Sequence, residues 1–234
     1  MEAVIMAGGK GSRLKPFTLT LPKPLMPVGE QPILAIVIKQ LKKAGVRKIT
    51  IAVNHMADLI MAFFGKGDKF GLEIAYSRED RALGTVAPVK LVKDLPDNFL
   101  VMNGDILSDI SYKDFYDSHV ASGALLSIAT YNRETKIDFG VLDLTEGKDL
   151  LIGFREKPTF NFDVSMGIYA FNRNLLEHIP DDEPFGLDDL VLSMLQKRLA
   201  IHAYAFNGYW LDIGRPDDYE KANEDFINLP DCET

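Results

Sequence analysis

Apolar positions along the first hundred residues alternate between two spacings. Short β-rich runs at 3–7 (AVIMA), 48–54 (KITIAVN), 72–77 (LEIAYS) and 99–105 (FLVMNGD), some nearly continuous in apolar residues, each read as a β-strand. Between them, apolar residues recur every three to four positions at 32–45 (PILAIVIKQLKKAG), 56–65 (MADLIMAFFG) and 85–95 (TVAPVKLVKDL), the period of a helix with a buried face. The first of these carries Lys42 and Lys43 in its last turn and stops on Gly45. Strands that are apolar nearly throughout and alternate with helices predict a parallel sheet covered on both faces.

After residue 123 the pattern changes. GALLSIATY, FGVLDL, LLIGFREKP and VSMGIYAFN read as strands with few helices between them, and LTEGKD (144–149) reads as a hairpin turn. Helical spacing returns at 187–198 and 216–229. The expected fold is α/β: one doubly wound, mainly parallel, Rossmann-like sheet whose second half is more antiparallel. No internal repeat, low-complexity segment or linker interrupts the chain, so residues 1–234 are expected to form a single domain.

Composition narrows the class of protein. In 234 residues the apolar fraction is 47%, the charged fraction 26% and the net charge −8. An acidic chain is a poor match for broad, charge-driven binding to nucleic acid or anionic membrane. No apolar stretch approaches the ~18 residues of a membrane span, and no secretory signal pattern opens the chain. The sole cysteine, Cys232, allows no intrachain disulfide. These features together point to a soluble, cytoplasmic protein.

Candidate chemistry begins directly after the first strand, in AGGKGSRLKPFTLTLPKP (7–24). Successive backbone N–H groups in a glycine-rich turn form a concave anion site. The Walker pattern G-x-x-x-x-G-K-[ST] is absent, and the dinucleotide fingerprint fails because Leu14 stands at its third glycine and Asn54 ends the second strand. The glycines alone fit a plain turn with solvated lysines equally well. Arg13 and Lys23, two long cations near bare amides, favour a nucleoside triphosphate. Four scattered histidines (His55, His119, His178, His202) have no metal-ligand spacing and read as structural or surface residues. Phe63, Phe64 and Phe171 read as core, and Asp109 as a cap for a helix starting near Tyr112.

These residues also carry a resemblance. MAGGKGSRLKPFTLTLPKPLMPVGEQPIL resembles the signature of the sugar-1-phosphate nucleotidylyltransferases. The likeness continues in family order through LGT (83–85), NGDIL (103–107), FGV (139–141), FREKP (154–158), MGIYAF (166–171) and YWLDIGRPDDYEKA (209–222). The resemblance implies attack by a sugar-1-phosphate on the α-phosphorus of a nucleoside triphosphate, with release of pyrophosphate. The nucleophile then arrives already charged, because phosphate monoesters have a second pKa of about 6. Such a site needs alignment and charge neutralisation rather than a serine–histidine pair.

By the same resemblance, residues 1–110 are the nucleotide half and 111–234 the sugar-phosphate half, without the C-terminal β-helix of longer relatives. Ala7, Gly8, Gly9, Gly11, Ser12, Arg13, Leu83, Gly84 and Thr85 are expected around the nucleotide. Arg13 matches the arginine on the triphosphate, and Lys23 the lysine bridging nucleotide and sugar phosphates; Lys10 is accessory. Gly140, Glu156, Lys157 and Ser165 are expected around the sugar phosphate. Asp105 and Asp212, 107 positions apart, are the expected Mg²⁺ ligands, and Mg²⁺ commonly takes only one or two protein carboxylates. Catalysis falls to Arg13, Lys23 and Asp105. Tyr209 and Trp210 are expected to wedge the Asp212 turn rather than stack on a base.

Three departures bear on specificity. Ser12 replaces a common threonine, Ser165 replaces an asparagine that touches the sugar, and Val86-Ala87-Pro88 replaces an Ala-Gly-Ala-like stretch. REDRALGT is closer to the guanylyltransferase branch, which joins GTP to mannose-1-phosphate or a related manno-configured sugar phosphate. Uridylyl, thymidylyl or cytidylyl transfer, transfer to a phosphate such as phosphocholine, and a non-catalytic binding homologue are the competing readings. The resemblance also leaves room for a homodimer.

Overall fold

The computed structural model describes residues 1–226, so Cys232 and the end of the helix expected to reach 229 lie outside the described residues. In chain order the elements are β1 (Glu2–Met6), β2 (Pro27–Val28), β3 (Gln31–Pro32), α1 (Ile33–Lys43), β4 (Lys48–Val53), α2 (Ala57–Phe64) and β5 (Glu73–Arg78). There follow β6 (Asn98–Asn103), β7 (Ile106–Ser108), α3 (Tyr112–Ser122), β8 (Leu126–Lys136), β9 (Val141–Leu144) and β10 (Leu151–Arg155). The chain continues through β11 (Thr159–Asn172), α4 (Leu187–Gln196), β12 (Ile201–Phe206), β13 (Trp210–Asp212) and α5 (Pro216–Phe226).

One seven-stranded sheet, in the order β12-β8-β11-β6-β1-β4-β5, organises the molecule. β6, β1, β4 and β5 run parallel, as the apolar runs require, and β12 is parallel to β8. β11 is antiparallel to both its neighbours, β6 and β8. The expected antiparallel character therefore resides in this strand and in the β9–β10 hairpin, whose turn falls where LTEGKD predicts it. α1, α2 and α3 pack on one face of the sheet over residues such as Ile5, Ile51 and Leu100. α4 packs on the other, over Val4, Val101 and Phe171. α1 is buried on more than one side, because Ile33 and Ile36 turn away from the sheet to pack with Leu107 and Ile213. That third cluster holds the β7–β13 pair just beyond the carboxyl end of the central strand β6, where the site lies.

Three local expectations are corrected. The helix expected at 85–95 is only a five-residue 3-10 turn, Ala87–Leu91. The amides of Val86 and Ala87 bond out to the Phe185 carbonyl, and Val89 and Val92 close i→i+3 bonds on Val86 and Val89. Asp109 does not cap α3: Ser111 does, accepting the Asp114 amide, while Asp109 Oδ1 accepts the Tyr209 amide at 2.7 Å. Phe63 is not core but 41% exposed, with the Lys69 ammonium 3.8 Å from its ring centre. Phe64 and Phe171 are buried as expected. Among the described residues no helix is long and apolar enough to cross a membrane.

His119 is fully buried on α3, with Nδ1 2.7 Å from Ser127 Oγ and Nε2 3.2 Å from Asn98 Oδ1. Burial, together with the nearby His202, lowers its pKa to about 4. A histidine kept neutral by the fold takes up protons more readily once unfolded. Its stabilisation is therefore complete above pH ~6.5 and is lost as the pH falls towards 4, about 3 kcal/mol in all. Urea unfolding between pH 7 and 4 is expected to show a shallower loss of stability in His119→Gln than in the unaltered chain. Equal slopes would contradict this.

Candidate active site

The site forms at the carboxyl ends of β1, β5 and β6, where open α/β sheets place their ligands. β1 ends at Met6, and Ala7 continues its line by donating to the Ala52 carbonyl at 2.9 Å. The glycine loop then leaves the sheet. A side chain at Gly8 would meet Glu79 Oε1 at 2.9 Å and Asn54 Cβ at 3.2 Å, so the backbone runs directly over these two residues. Gly9 faces open space. Gly11 adopts φ +59°, and its Cβ would stand 2.8 Å from Thr18 Cγ2 and 3.4 Å from Lys23 Cβ. Thr18 also donates to the Gly11 carbonyl at 2.8 Å, tying the loop to the Phe17–Leu19 turn that precedes Lys23. Ser12 and Arg13 lie exposed in the 3-10 turn Ser12–Leu14, anchored by the fully buried Leu14. Lys10 is exposed beside them.

The central feature is a cation between two carboxylates. Asp105 follows β6 in the short link to β7, and Asp212 ends β13. β7 and β13 pair antiparallel with Ile106 opposite Asp212, and Ile213 donates to the Asp105 carbonyl at 3.2 Å. This two-stranded ladder is what closes a separation of 107 positions. Lys23 Nζ donates to Asp105 Oδ2 and lies 3.9 Å from Asp212 Oδ1. The Lys23 side chain is only 11% exposed. Asp105 Oδ1 is buried with no hydrogen-bond partner, a costly state for a carboxylate oxygen.

Burial and the neighbouring Asp105 raise the Asp212 pKa above the usual carboxylate range, against the pull of Lys23 and Arg13. Arg13 completes this group: its guanidinium packs beside Gly214, where an added Cβ would be 3.5 Å from both Nη atoms. An orphaned acceptor, a second carboxylate pressed towards neutrality and one intervening ammonium form a donor set short of positive charge. Among the described residues no third His, Cys, Asp or Glu joins it. Two carboxylates with room for phosphate oxygens and water fit a hard divalent cation such as Mg²⁺.

Leu83, Gly84 and Thr85 are held as loop architecture, Leu83 by Glu79 and the other two by the segment that leads into α4. Gly84 has φ +87°, and a side chain there would collide with the Phe185 carbonyl at 2.7 Å. The Thr85 hydroxyl accepts the Leu187 amide at 2.9 Å, at the first turn of α4. Ser165 precedes a register irregularity in β11, bonding to the Tyr169 hydroxyl at 2.9 Å. Trp210 Nε1 donates to the Met166 carbonyl at 2.9 Å and so fastens this bulge to the strand bearing Asp212. Tyr209 bonds to Asp225 at 2.9 Å. These two bonds tie the β13 segment to β11 and to α5.

Gly140 and Glu156 meet at the base of the β9–β10 hairpin. A Cβ on Gly140 would strike the Phe154 ring at 2.6 Å and lie 3.4 Å from Glu156 Oε2. Lys157, exposed and at φ +43°, sits in the tight passage from β10 to β11. Among the described residues, no hydrogen bond or ion pair joins this group to Lys23, Asp105 or Asp212.

Sequence reasoning missed Glu79. It is 8% exposed, follows β5, and accepts the Leu83 amide through Oε2 at 3.1 Å. Burial raises its pKa, while hydrogen bonds from Leu83 and Asn54 pull the other way. The one available signal was an acidic residue directly after a parallel strand and before a glycine turn.

Comparison with known proteins settles the lineage. Residues 2–228 match the family model described as nucleotidyl transferase. The chain belongs to the nucleotidyl transferase family. A UTP–glucose-1-phosphate uridylyltransferase of Synechocystis is 31% identical over 95% of the chain and 62% of its own length. A mannose-1-phosphate guanyltransferase of Yarrowia lipolytica is 31% identical over 94% of the chain and 62% of its own length. The chain thus spans less than two thirds of these curated relatives. The crystal structure of HddC from Yersinia pseudotuberculosis superposes with a TM-score of 0.74 at 28% identity, covering 96% of this chain and 99% of HddC. HddC has also been solved with GMP-PN bound.

Proposed function

We propose that the chain transfers a nucleoside monophosphate from a nucleoside triphosphate to a sugar-1-phosphate, releasing pyrophosphate. The observation that carries this reading is the pairing of Asp105 and Asp212 around Lys23 at the mouth of a glycine loop. The bare loop amides and Arg13 receive the triphosphate. Lys23 donates to the nucleotide and sugar phosphates together and draws the two polyanions into line. Glu156 and Ser165 hold the sugar hydroxyls. A bound Mg²⁺ on Asp105 and Asp212 would neutralise phosphate charge. The nucleophile needs no general base, which agrees with the structural roles of His119 and of His202, bonded to Ser118. The first 110 residues supply the nucleotide half of one domain and the remainder the sugar-phosphate half.

Lys157 is proposed to hold the sugar phosphate. Lys157→Ala is expected to weaken sugar-1-phosphate binding while leaving nucleotide affinity little changed in calorimetry. Loss of nucleotide binding alone would contradict the assignment.

GTP is proposed as the donor and a manno-configured sugar-1-phosphate as the acceptor. Glu79 favours guanine among the bases. A carboxylate has about four acceptor sites, and the Leu83 and Asn54 bonds leave some of them unused. Guanine offers two adjacent donors, N1–H and the exocyclic amine, on one edge; uracil and thymine offer one. A buried acceptor left unpaired discriminates between ligands. Glu79→Gln keeps an oxygen for the Leu83 amide but removes the charge. It is expected to reduce the preference for GTP over UTP by about 10- to 100-fold, the value of a hydrogen bond to a charged group.

The test is pyrophosphate release from GTP, ATP, UTP, dTTP and CTP against mannose-, manno-heptose- and glucose-1-phosphates and phosphocholine. GTP with a manno-configured acceptor is the expected best pair. A clear preference for UTP, dTTP or CTP would overturn the guanylyl assignment, and turnover with phosphocholine alone would overturn the sugar.

A further inference from the structure

The sheet face that carries α4 is left open near its β5 edge. Val4 lies on this face, Thr50 stands beside it on β4, and Ala75 stands beside Thr50 on β5. Strand alternation therefore puts Lys48, Thr50, Ala75 and Ser77 on the same side. Above them lies a groove of about 750 Å³, walled by Leu83, Leu91 and Val92. That volume is ample for a small molecule, whose sites commonly span ~300–1,000 Å³. Gly8, Gly9, Gly11, Glu79 and Asp105 take no part in its lining, so the groove is distinct from the candidate active site.

The floor of the groove has polar groups without partners. Thr50 is 6% exposed and Ser77 9%, and among the described residues neither hydroxyl makes a hydrogen bond. Their neighbours on this face, such as Val4 and Val101, are apolar, and a buried hydroxyl left unpaired costs free energy. Lys48 is half-buried at the same floor and has no ion pair among the described residues. Glu73, beside Lys48 in the β4–β5 register, is exposed and does not line the groove. The carboxylates that do line it, Asp80, Asp94 and Asp182, are all exposed at the rim. The two arginines of the rim are already engaged, Arg78 with Asp58 and Arg81 with the Asp182 carbonyl. The interior thus offers one ammonium and two hydroxyl donors, with no carboxylate among them.

We propose that this groove is a binding site for a small organic anion. Its carboxylate or phosphate head accepts from Lys48, Thr50 and Ser77, and its apolar body lies along Leu83, Leu91 and Val92. An oxyanion is the one head group that answers all three donors, and hydrogen bonds to an ionised acceptor are the strong ones. A neutral ligand would leave the ammonium unpaired, and a metal ion would find no anionic ligand at the floor. The inference uses no part of the proposed reaction.

Methyl NMR of the full chain, titrated with phenyl phosphate, benzoate and the neutral benzyl alcohol, tests it. Either anion is expected to move the Leu91 and Val92 methyl signals saturably, and benzyl alcohol is not. Lys48→Met keeps the side-chain length and removes the charge, and is expected to raise the Kd by about 10- to 100-fold, the scale of a hydrogen bond to a charged group. Thr50→Val replaces the unpartnered hydroxyl with a methyl of the same shape. It is expected to raise the Kd about 3- to 10-fold with an equal or higher Tm, which separates lost binding from lost folding. Saturation by phenyl phosphate alone would assign a phosphate head and by benzoate alone a carboxylate, and either supports the site. No saturable shift with either anion, an equal response to benzyl alcohol, or a Kd unmoved by both substitutions would overturn the proposal.

Discussion

Asp105→Asn is expected to lower kcat by about 10²-fold or more, the scale of a lost electrostatic contact to the transferring phosphoryl group. The substitution keeps the side-chain shape, so β7, β13 and the Ile213-to-Asp105 backbone bond are retained. It removes one of the two negative charges available to a divalent ion. It also places an amide –NH₂ either against Lys23 Nζ or in the buried position of the unpartnered Oδ1. Neither position accepts a donor well. The concentration of Mg²⁺ giving half-maximal rate should rise in parallel, which separates loss of metal from loss of fold. Unchanged turnover in Asp105→Asn, or full activity in excess chelator, would remove the metal assignment.

Arg13→Ala is expected to lower kcat by about 10²- to 10³-fold with little change in the KM for the sugar phosphate. In the proposed reaction negative charge grows on pyrophosphate as it leaves, and Arg13 is the exposed cation at the glycine loop whose charge also reaches Asp212. Its guanidinium already packs against the Gly214 backbone, so it meets that charge with little reorganisation. Arg13→Lys should recover only part of the rate, because an ammonium lacks the planar fork that grips two phosphate oxygens. A raised KM for the nucleotide at constant kcat would assign Arg13 to ground-state binding instead.

The parallel half of the fold was legible because β1, β4 and β6 are buried along most of their length and leave near-continuous apolar runs. The failures were tertiary. The 85–95 stretch has helical spacing but is pinned through Val86 and Ala87 to the Phe185 carbonyl, about a hundred positions away, and closes only i→i+3 bonds. Asp109 looks like a cap until the chain returns at Tyr209. Motif position singled out Arg13, Lys23, Asp105 and Asp212, and the β7–β13 ladder is the physical reason the two carboxylates meet. Glu79 escaped because its importance depends on Gly8 crossing above it, a contact between two strand ends that no local spacing encodes.

A direct measurement is the fate of the α-phosphorus. With α-labelled GTP, mannose-1-phosphate and Mg²⁺, label is expected to appear in a nucleotide sugar in one-to-one proportion with released pyrophosphate. No release should occur without the sugar phosphate, and the yield should collapse in Asp105→Asn. Release of inorganic phosphate in place of pyrophosphate, or labelled product that forms without any sugar phosphate, would contradict the proposed reaction.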